Sequence, residues 1–390
     1  MRSRLDNKQR TSIIDLLFAA VCCCNMGIFL FGSDLFGNEG LLSLSARIYI
    51  LLDIIILACI LLRPFDKNQK RQLITMALMA FFAVITYILK PSGSLFDFVI
   101  TLIGYIAVPI YALAVQKVSF CNGMIYLLRV VSVIYALFFI YRGYITPTFR
   151  PGSHALMLGY INPNITGAYM FLVCILLLVT FNNVEKKIWR YMSYALVVLV
   201  LYPILLTQCR SALLLTSACL VYAVFPRIYR PKKLFPVVCT VFPWAFYYLY
   251  LYLYRIGWNL DMELLDKTIY SGRQETFINE KIIYTLFGNF DKNFGGLNSA
   301  VGVINTLGLI GFVLFVVFYV SFLTAPLMQN YKGKRVEKRN LPLFCMGALM
   351  LHGCVESAMF TAGTVYAGMV GCILVAIACN NQEIRLKRKK

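Results

Sequence analysis

The residues best suited to chemistry in this chain are arginines placed at helix starts or polar breaks. Arg210 stands in Thr207-Gln208-Cys209-Arg210-Ser211, a short polar interruption of the nearly unbroken apolar stretch from Tyr191 to Phe225. Arg273 stands in Ser271-Gly272-Arg273-Gln274, ahead of an apolar-periodic run. Ser with Gln in that register is the capping-box pattern of a helix start. A guanidinium offers phosphate a planar, bidentate fork of donors. The first turn of a helix adds backbone N–H groups and the positive end of the dipole. On one face, Arg210 and Arg273 would form a cationic site for a diphosphate. Other roles fit each of them: an interfacial arginine can snorkel to lipid head groups, and Arg273 can be a surface residue on an ordinary capped helix. Ser211 is placed to cap the helix that follows Arg210.

Acid–base candidates are few. His154 is one of two histidines, and histidine is the commonest general base. Glu275 and Glu280 are alternative bases near Arg273, and Arg150 lies just upstream of His154. Asn162-Pro163-Asn164 opens an apolar block, with Asn at the cap and Pro at the first helical position. The amides of Asn162 and Asn164 can also bond sugar hydroxyls. Asn298 opens a later block. Arg210, Arg273, His154 and Glu275 are therefore the catalytic candidates, and Arg150, Asn162, Asn164 and Asn298 the substrate-binding ones. The sequence has no spaced Cys/His or paired carboxylate set of the kind that holds a metal. It has no phosphate-cradling nucleotide loop either. No cofactor is expected, and any reaction must use a substrate activated elsewhere.

The elements that carry these residues are membrane helices. The chain is 60% hydrophobic and only 14% charged, where a soluble domain has about 45–50% and about 25%. The excess comes in blocks of the length that crosses a bilayer. The expected fold is an all-α polytopic bundle of about 12 spans. These are Ile13–Phe31, Leu44–Leu62, Leu73–Leu89, Leu95–Val115, Met124–Tyr141, Ile165–Phe181, Tyr191–Thr207, Ser211–Phe225, Leu234–Tyr254, Asn298–Thr324, Pro342–Phe360 and Gly363–Ala378. A net charge of +20 suggests nucleic acid until it is mapped. The lysines and arginines cluster in alternate connections, as the positive-inside rule requires of cytoplasmic loops. Both termini are then cytoplasmic, and no nucleic-acid partner is expected. Most of the 13 cysteines fall inside apolar blocks, so they do not form an extracellular disulfide framework.

Two external loops are long, Arg142–Asn164 and Arg255–Leu297. Loops of such length are usually functional or disordered. Phe277, Ile278, Ile282 and Leu286 repeat at helical spacing, which predicts an amphipathic surface helix in the second loop. Within the spans, Asp53 and an i, i+4 pair, His352 and Glu356, mark either an ion path or interhelical hydrogen bonds. Tyrosines 247, 248, 250, 252 and 254 crowd the external end of one span, as an interfacial belt does.

Taken in order, four of these motifs resemble the superfamily of O-antigen ligases and O-antigen and capsular polysaccharide polymerases. They are Asn162–Asn164, Thr207–Ser211, Ser271-Gly272-Arg273, and Asn298 followed by Leu307-Gly308-Leu309-Ile310-Gly311-Phe312. The resemblance covers roughly Arg150 to Phe318. It implies metal-independent, en bloc transfer of an oligosaccharide from polyprenyl diphosphate to a glycan hydroxyl at the outer face of a bacterial cytoplasmic membrane. The arginines would hold the leaving diphosphate. Expected partners are the lipid-linked oligosaccharide, the growing glycan chain, membrane lipid, a flippase and a chain-length regulator. Ligases of this superfamily carry a His before the Asn that follows the long loop; here Leu297 occupies that position, which favours the polymerase branch. A ligase and a transporter of lipid-linked glycan are the alternatives.

Overall fold

A computed structural model of the chain describes residues 48, 51–52, 54–59, 61–62, 65, 67–90, 94–115, 122–158, 162, 163–182, 184, 187–259, 262, 270, 285–288, 298–328, 334–355, 370–371, 373–375 and 377–378. Among the described residues the long elements are all helical: α1 (Lys67–Leu89), α2 (Leu95–Val115), α3 (Asn122–Tyr144), α4 (Pro163–Asn182), α5 (Lys187–Leu206), α6 (Arg210–Val224), α7 (Phe235–Arg255), α8 (Ser299–Met328) and α9 (Lys334–His352). Six of these helices (α1, α3, α4, α5, α7 and α8, with α3 counted from Ile125) are long and apolar enough to cross a membrane, and α6 is a shorter apolar helix. By length and composition, the helices of the described residues are those of a membrane protein. The expected first span, Ile13–Phe31, lies outside the described residues, and the second, eleventh and twelfth are described only in part.

α4 is the hub. Its interior sequence, Met170 to Val179, is apolar on every side and almost completely buried, as a helix enclosed by others must be. The buried share of its apolar window is 83%, against 28% in α5, so α5 turns most of its surface outward. α4 packs on α3, α5, α6 and α9, while α8 bridges α1 and α7. Inside a bilayer, water no longer drives helices together, so close packing and interhelical hydrogen bonds must hold the bundle. One such chain joins α1 to α8: Ser321 Oγ donates to Asn68 Oδ1 at 2.9 Å, and Gln72 Nε2 reaches Ser321 Oγ at 3.4 Å. Arg129 of α3 donates to the Thr180 carbonyl at 2.9 Å and lies over the Phe181 ring, closing the far end of α4.

The stretch from Tyr191 to Phe225 is divided as its polar centre predicts. α5 ends at Leu206 and α6 starts at Arg210, with Gln208 in the left-handed region at φ 55°. α6 has 15 residues and so is about 22 Å long at about 1.5 Å per residue. That falls short of a bilayer core of about 30 Å. The turn between them is therefore recessed. It lies against Gly167, one turn inside α4, where an added Cβ would sit 2.8 Å from Thr207 Oγ1 and 3.2 Å from Cys209 Sγ.

α8 is broken at Gly308, whose φ of 73° and ψ of −176° interrupt the helix. The break lets another strand of backbone in. Leu309 N–H donates to the Thr285 carbonyl at 3.0 Å and Ile310 N–H to the Leu286 carbonyl at 3.4 Å. A side chain on Gly288 would overlap the Thr306 carbonyl. Irregular backbone at membrane depth is tolerated where protein covers it and satisfies its polar groups, and residues 285–288 do this with the amides that the break releases. Of the expected surface-helix stripe, Leu286 is described and lies in this irregular segment rather than in a helix; Phe277, Ile278 and Ile282 lie outside the described residues.

The break is a testable point. Gly308→Ala puts a Cβ at a positive φ with extended ψ, a region essentially restricted to glycine, which costs about 1–3 kcal/mol, and against residues 286–288 as well. The purified variant should lose several degrees of thermal midpoint in detergent by size-exclusion fluorescence. An unchanged midpoint would show that the 285–288 segment is not held at the break.

Candidate functional site

Because α6 begins low, a cavity of about 760 Å³ stands over its first turn. The volume is in the range of about 300–1,000 Å³ usual for ligand sites. Arg150, His154, Asn162, Asn164 and Arg210 all line it. Five of the eight residues singled out by sequence are thus brought together from three separate segments. Arg273 and Glu275 lie outside the described residues, as do Gln274 and Glu280.

Each segment is positioned by backbone chemistry. Asn162 caps α4 as expected, its Oδ1 accepting the Asn164 N–H at 2.9 Å with Pro163 at the first helical position. The Thr166 hydroxyl then ties α4 to the preceding loop through the Met157 carbonyl at 2.6 Å. That loop is a small hairpin. Phe149 pairs with Leu156, Arg150 N–H donates to the Ala155 carbonyl and Met157 N–H to the Thr148 carbonyl, each at 2.9 Å. Leu156 N–H in turn donates to the Leu206 carbonyl at the end of α5. The hairpin carries Arg150 and His154, both exposed, to the rim.

Arg142 holds this hairpin from beneath. The sequence places it at the start of an external loop; it is instead inside α3 and only 6% exposed. Its two terminal nitrogens donate to Thr146 Oγ1 at 3.3 Å and Thr148 Oγ1 at 2.6 Å.

The floor differs from expectation in one respect. Ser211 does not cap α6. Cys209 occupies the cap position and supplies no side-chain cap bond, and Ser211 lies beyond it in the first turn, facing the cavity. Arg210, half-buried beside it, therefore stands at the positive end of a helix dipole. Among the described lining residues there are two arginines and no carboxylate.

The opposite wall is aromatic and belongs to α7 and the chain after it. Phe246, Leu249, Tyr250 and Leu253 face the cavity, with Trp258 and Tyr270. The tyrosines were expected to form an interfacial belt, and Tyr248 and Tyr252 are indeed exposed, but Tyr247 and Tyr250 are buried. Tyr250 donates its hydroxyl to the Tyr270 carbonyl at 2.8 Å, and Tyr270 donates to the Trp258 carbonyl at 2.6 Å. Tyr270 also meets the rings of Tyr250 and Tyr254 edge to face. Burial raises the Tyr270 phenol above the ordinary tyrosine range. Sequence reasoning missed Tyr270, although it stands immediately before Ser271.

Comparison with models of known protein families and with curated proteins finds no match.

Asn298 has a different place from the one expected. It is fully buried and absent from the cavity lining. Its amide donates to the Pro243 and Cys354 carbonyls at 2.8 and 3.0 Å, and its carbonyl accepts from the Ala300 and Val301 amides at 2.9 and 3.2 Å. Two donors and two lone pairs are all an asparagine has. It caps α8 and locks it to α7 and the end of α9. His352 is the last residue of α9, and Glu356, its expected i, i+4 partner, lies outside the described residues.

The hairpin's dependence on Arg142 can be measured. Charge-assisted bonds of about 1.5–3 kcal/mol each are lost in Arg142→Ala. The amides of Arg150 and Met157 should then exchange hydrogen at least about tenfold faster, with the interior of α4 unchanged. Unaltered exchange would mean that the hairpin is held by its own backbone alone.

Proposed function

We propose that this chain is a polysaccharide polymerase of the bacterial cytoplasmic membrane. It transfers an oligosaccharide en bloc from polyprenyl diphosphate to a glycan hydroxyl at the outer face, without metal or nucleotide. The observation that carries this reading is the cavity over α6, where Arg150 and Arg210 meet a helix N-terminus without a carboxylate among the described lining residues. A cationic site built on a helix N-terminus suits a diphosphate leaving group, because charge that develops there meets positive groups already in place. The asparagine amides on one side and the aromatic wall on the other match the polar edges and apolar faces of a sugar.

Sidedness supports the same reading. The end away from the cavity carries Lys67, Lys70 and Arg71 at α1, Lys187 and Arg190 at α5, Arg227, Arg230, Lys232 and Lys233 before α7, and Lys334 and Arg335 at α9. By the positive-inside rule that end is cytoplasmic, and the cavity faces out. Arg273 follows Tyr270, which lines the cavity, by three positions in sequence.

In this reaction the acceptor oxygen bonds to the anomeric carbon as the bond from that carbon to phosphate breaks, and the diphosphate leaves with the electron pair. Arg210, with Arg150 and Arg273, takes up the developing charge. His154 on the rim hairpin, or Glu275, accepts the hydroxyl proton. With no His at Leu297, the polymerase reading stands ahead of the ligase one.

A second reading, a transporter of lipid-linked glycan, draws on the break in α8, because transporters build their sites on broken helices. The two readings separate in cells. Arg210→Ala and Arg273→Ala should each abolish chain lengthening at normal protein level, with single lipid-linked units accumulating outside. Units trapped inside would indicate transport instead, and long polymer from both variants would contradict the polymerase mechanism.

A further inference from the structure

One polar pair beneath the cavity has no part in the chemistry above. His352, at the end of α9, is 1% exposed. Its ring stacks on Phe171 of α4, with centroids 5.7 Å apart and 15° between planes. Its Nε2 lies 3.5 Å from Ser211 Oγ. Ser211 does face the cavity, beside Arg210 in the first turn of α6. The pair thus connects a fully enclosed imidazole with the surface on which an anion would rest.

A serine hydroxyl has one proton to give and two lone pairs. When Nε2–H of His352 donates to Oγ, the hydroxyl proton must point elsewhere. Two directions are open, the cavity and Cys209 Sγ at 3.6 Å, and sulfur is a weak acceptor. An anion in the cavity is the stronger partner, since a hydrogen bond to a charged group is stronger than one to a neutral group. Stacking on Phe171 holds the ring, so Nε2 meets Ser211 Oγ from a fixed direction.

We propose that Ser211 is a direct hydroxyl donor to the anionic group held by Arg210. His352 is its positioning residue, donating to Ser211 Oγ and so aiming the hydroxyl into the cavity. The inference rests on the anion-binding reading of the cavity and adds to it a neutral donor with a fixed direction. The ligand class is an organic diphosphate whose terminal oxygens reach both the Arg210 guanidinium and Ser211.

The test is a binding cycle on the purified full-length protein in detergent, with farnesyl diphosphate as the probe and farnesol as the uncharged control. Ser211→Ala should weaken farnesyl diphosphate binding roughly tenfold or more and leave farnesol unaffected. His352→Leu should weaken it to the same degree, and His352→Gln, which retains an amide donor, should restore most of it. The double variant Ser211→Ala/His352→Leu should bind no worse than either single one, because the histidine acts only through the serine. Thermal melts of all variants identify any that is misfolded; His352→Phe, which keeps the ring stack and removes the donor, takes the place of His352→Leu if that variant is. Full additivity of the two losses would reduce His352 to a packing residue and overturn its positioning role. Wild-type affinity in Ser211→Ala would overturn the whole inference while leaving Arg210 in place. If Arg210→Ala also binds as the wild type does, the anion-site reading itself fails.

Discussion

The length of α6 governs the site. A helix of 15 residues packed on a hub of 20 cannot reach the same level at both ends, and its start is left about one turn below the start of α4. Gly167 permits the close approach that this needs, with Thr207 and Cys209 where a larger residue's side chain would be. Everything that follows is a consequence of the recess. The space above α6 becomes a cavity, Arg210 lies at its floor instead of in bulk solvent, and the dipole of α6 points up into it. An arginine at the floor of such a recess is a functional candidate by its position, and it is the one on which the proposed chemistry rests.

The recess would be an open funnel without the segments pinned around it. The hairpin with Arg150 and His154 is fixed from three sides, by Arg142 below, the end of α5 beside it and Thr166 of α4 beyond. Across the opening, Tyr270 is clasped by Tyr250 and the Trp258 carbonyl. The long connection between α7 and α8 is thereby held to the cavity wall about a third of the way along, and again at residues 285–288, where the break in α8 receives it. Asn298 completes the frame by locking α8 to α7. Polar groups at these depths must find partners within the protein, and here the partners are the very segments that shape the site.

Much of this was legible in sequence. Apolar blocks located the helices from Leu73 to Pro342 to within several residues, and Asn162-Pro163 and the polar turn before Arg210 were read for what they are. The misplacements have physical reasons. α1 and α9 begin six to eight residues earlier than their apolar cores, because Lys67–Gln72 and Lys334–Arg339 are good helix formers outside the hydrocarbon, where hydropathy carries no signal. Asn298 was read as a ligand because a capping asparagine and a sugar-binding one look alike in sequence; only its four backbone partners separate the roles. Gly308 was visible as a glycine, but glycines are frequent in membrane helices, and nothing local announces that the chain returns to fill a break there. Depth was not legible at all. The turn at Gln208 could be predicted, yet its recession below the neighbouring helix ends depends on how α4 and α6 pack.

The most direct test of the account is made on the isolated protein. Purified chain in detergent or nanodiscs is supplied with a polyprenyl-diphosphate-linked repeat unit, a chelator and no nucleotide, and the products are separated by size. The account predicts longer lipid-linked oligosaccharides and one released polyprenyl diphosphate for each unit added. Repeat units left at their original length, with no diphosphate lipid released, would contradict it.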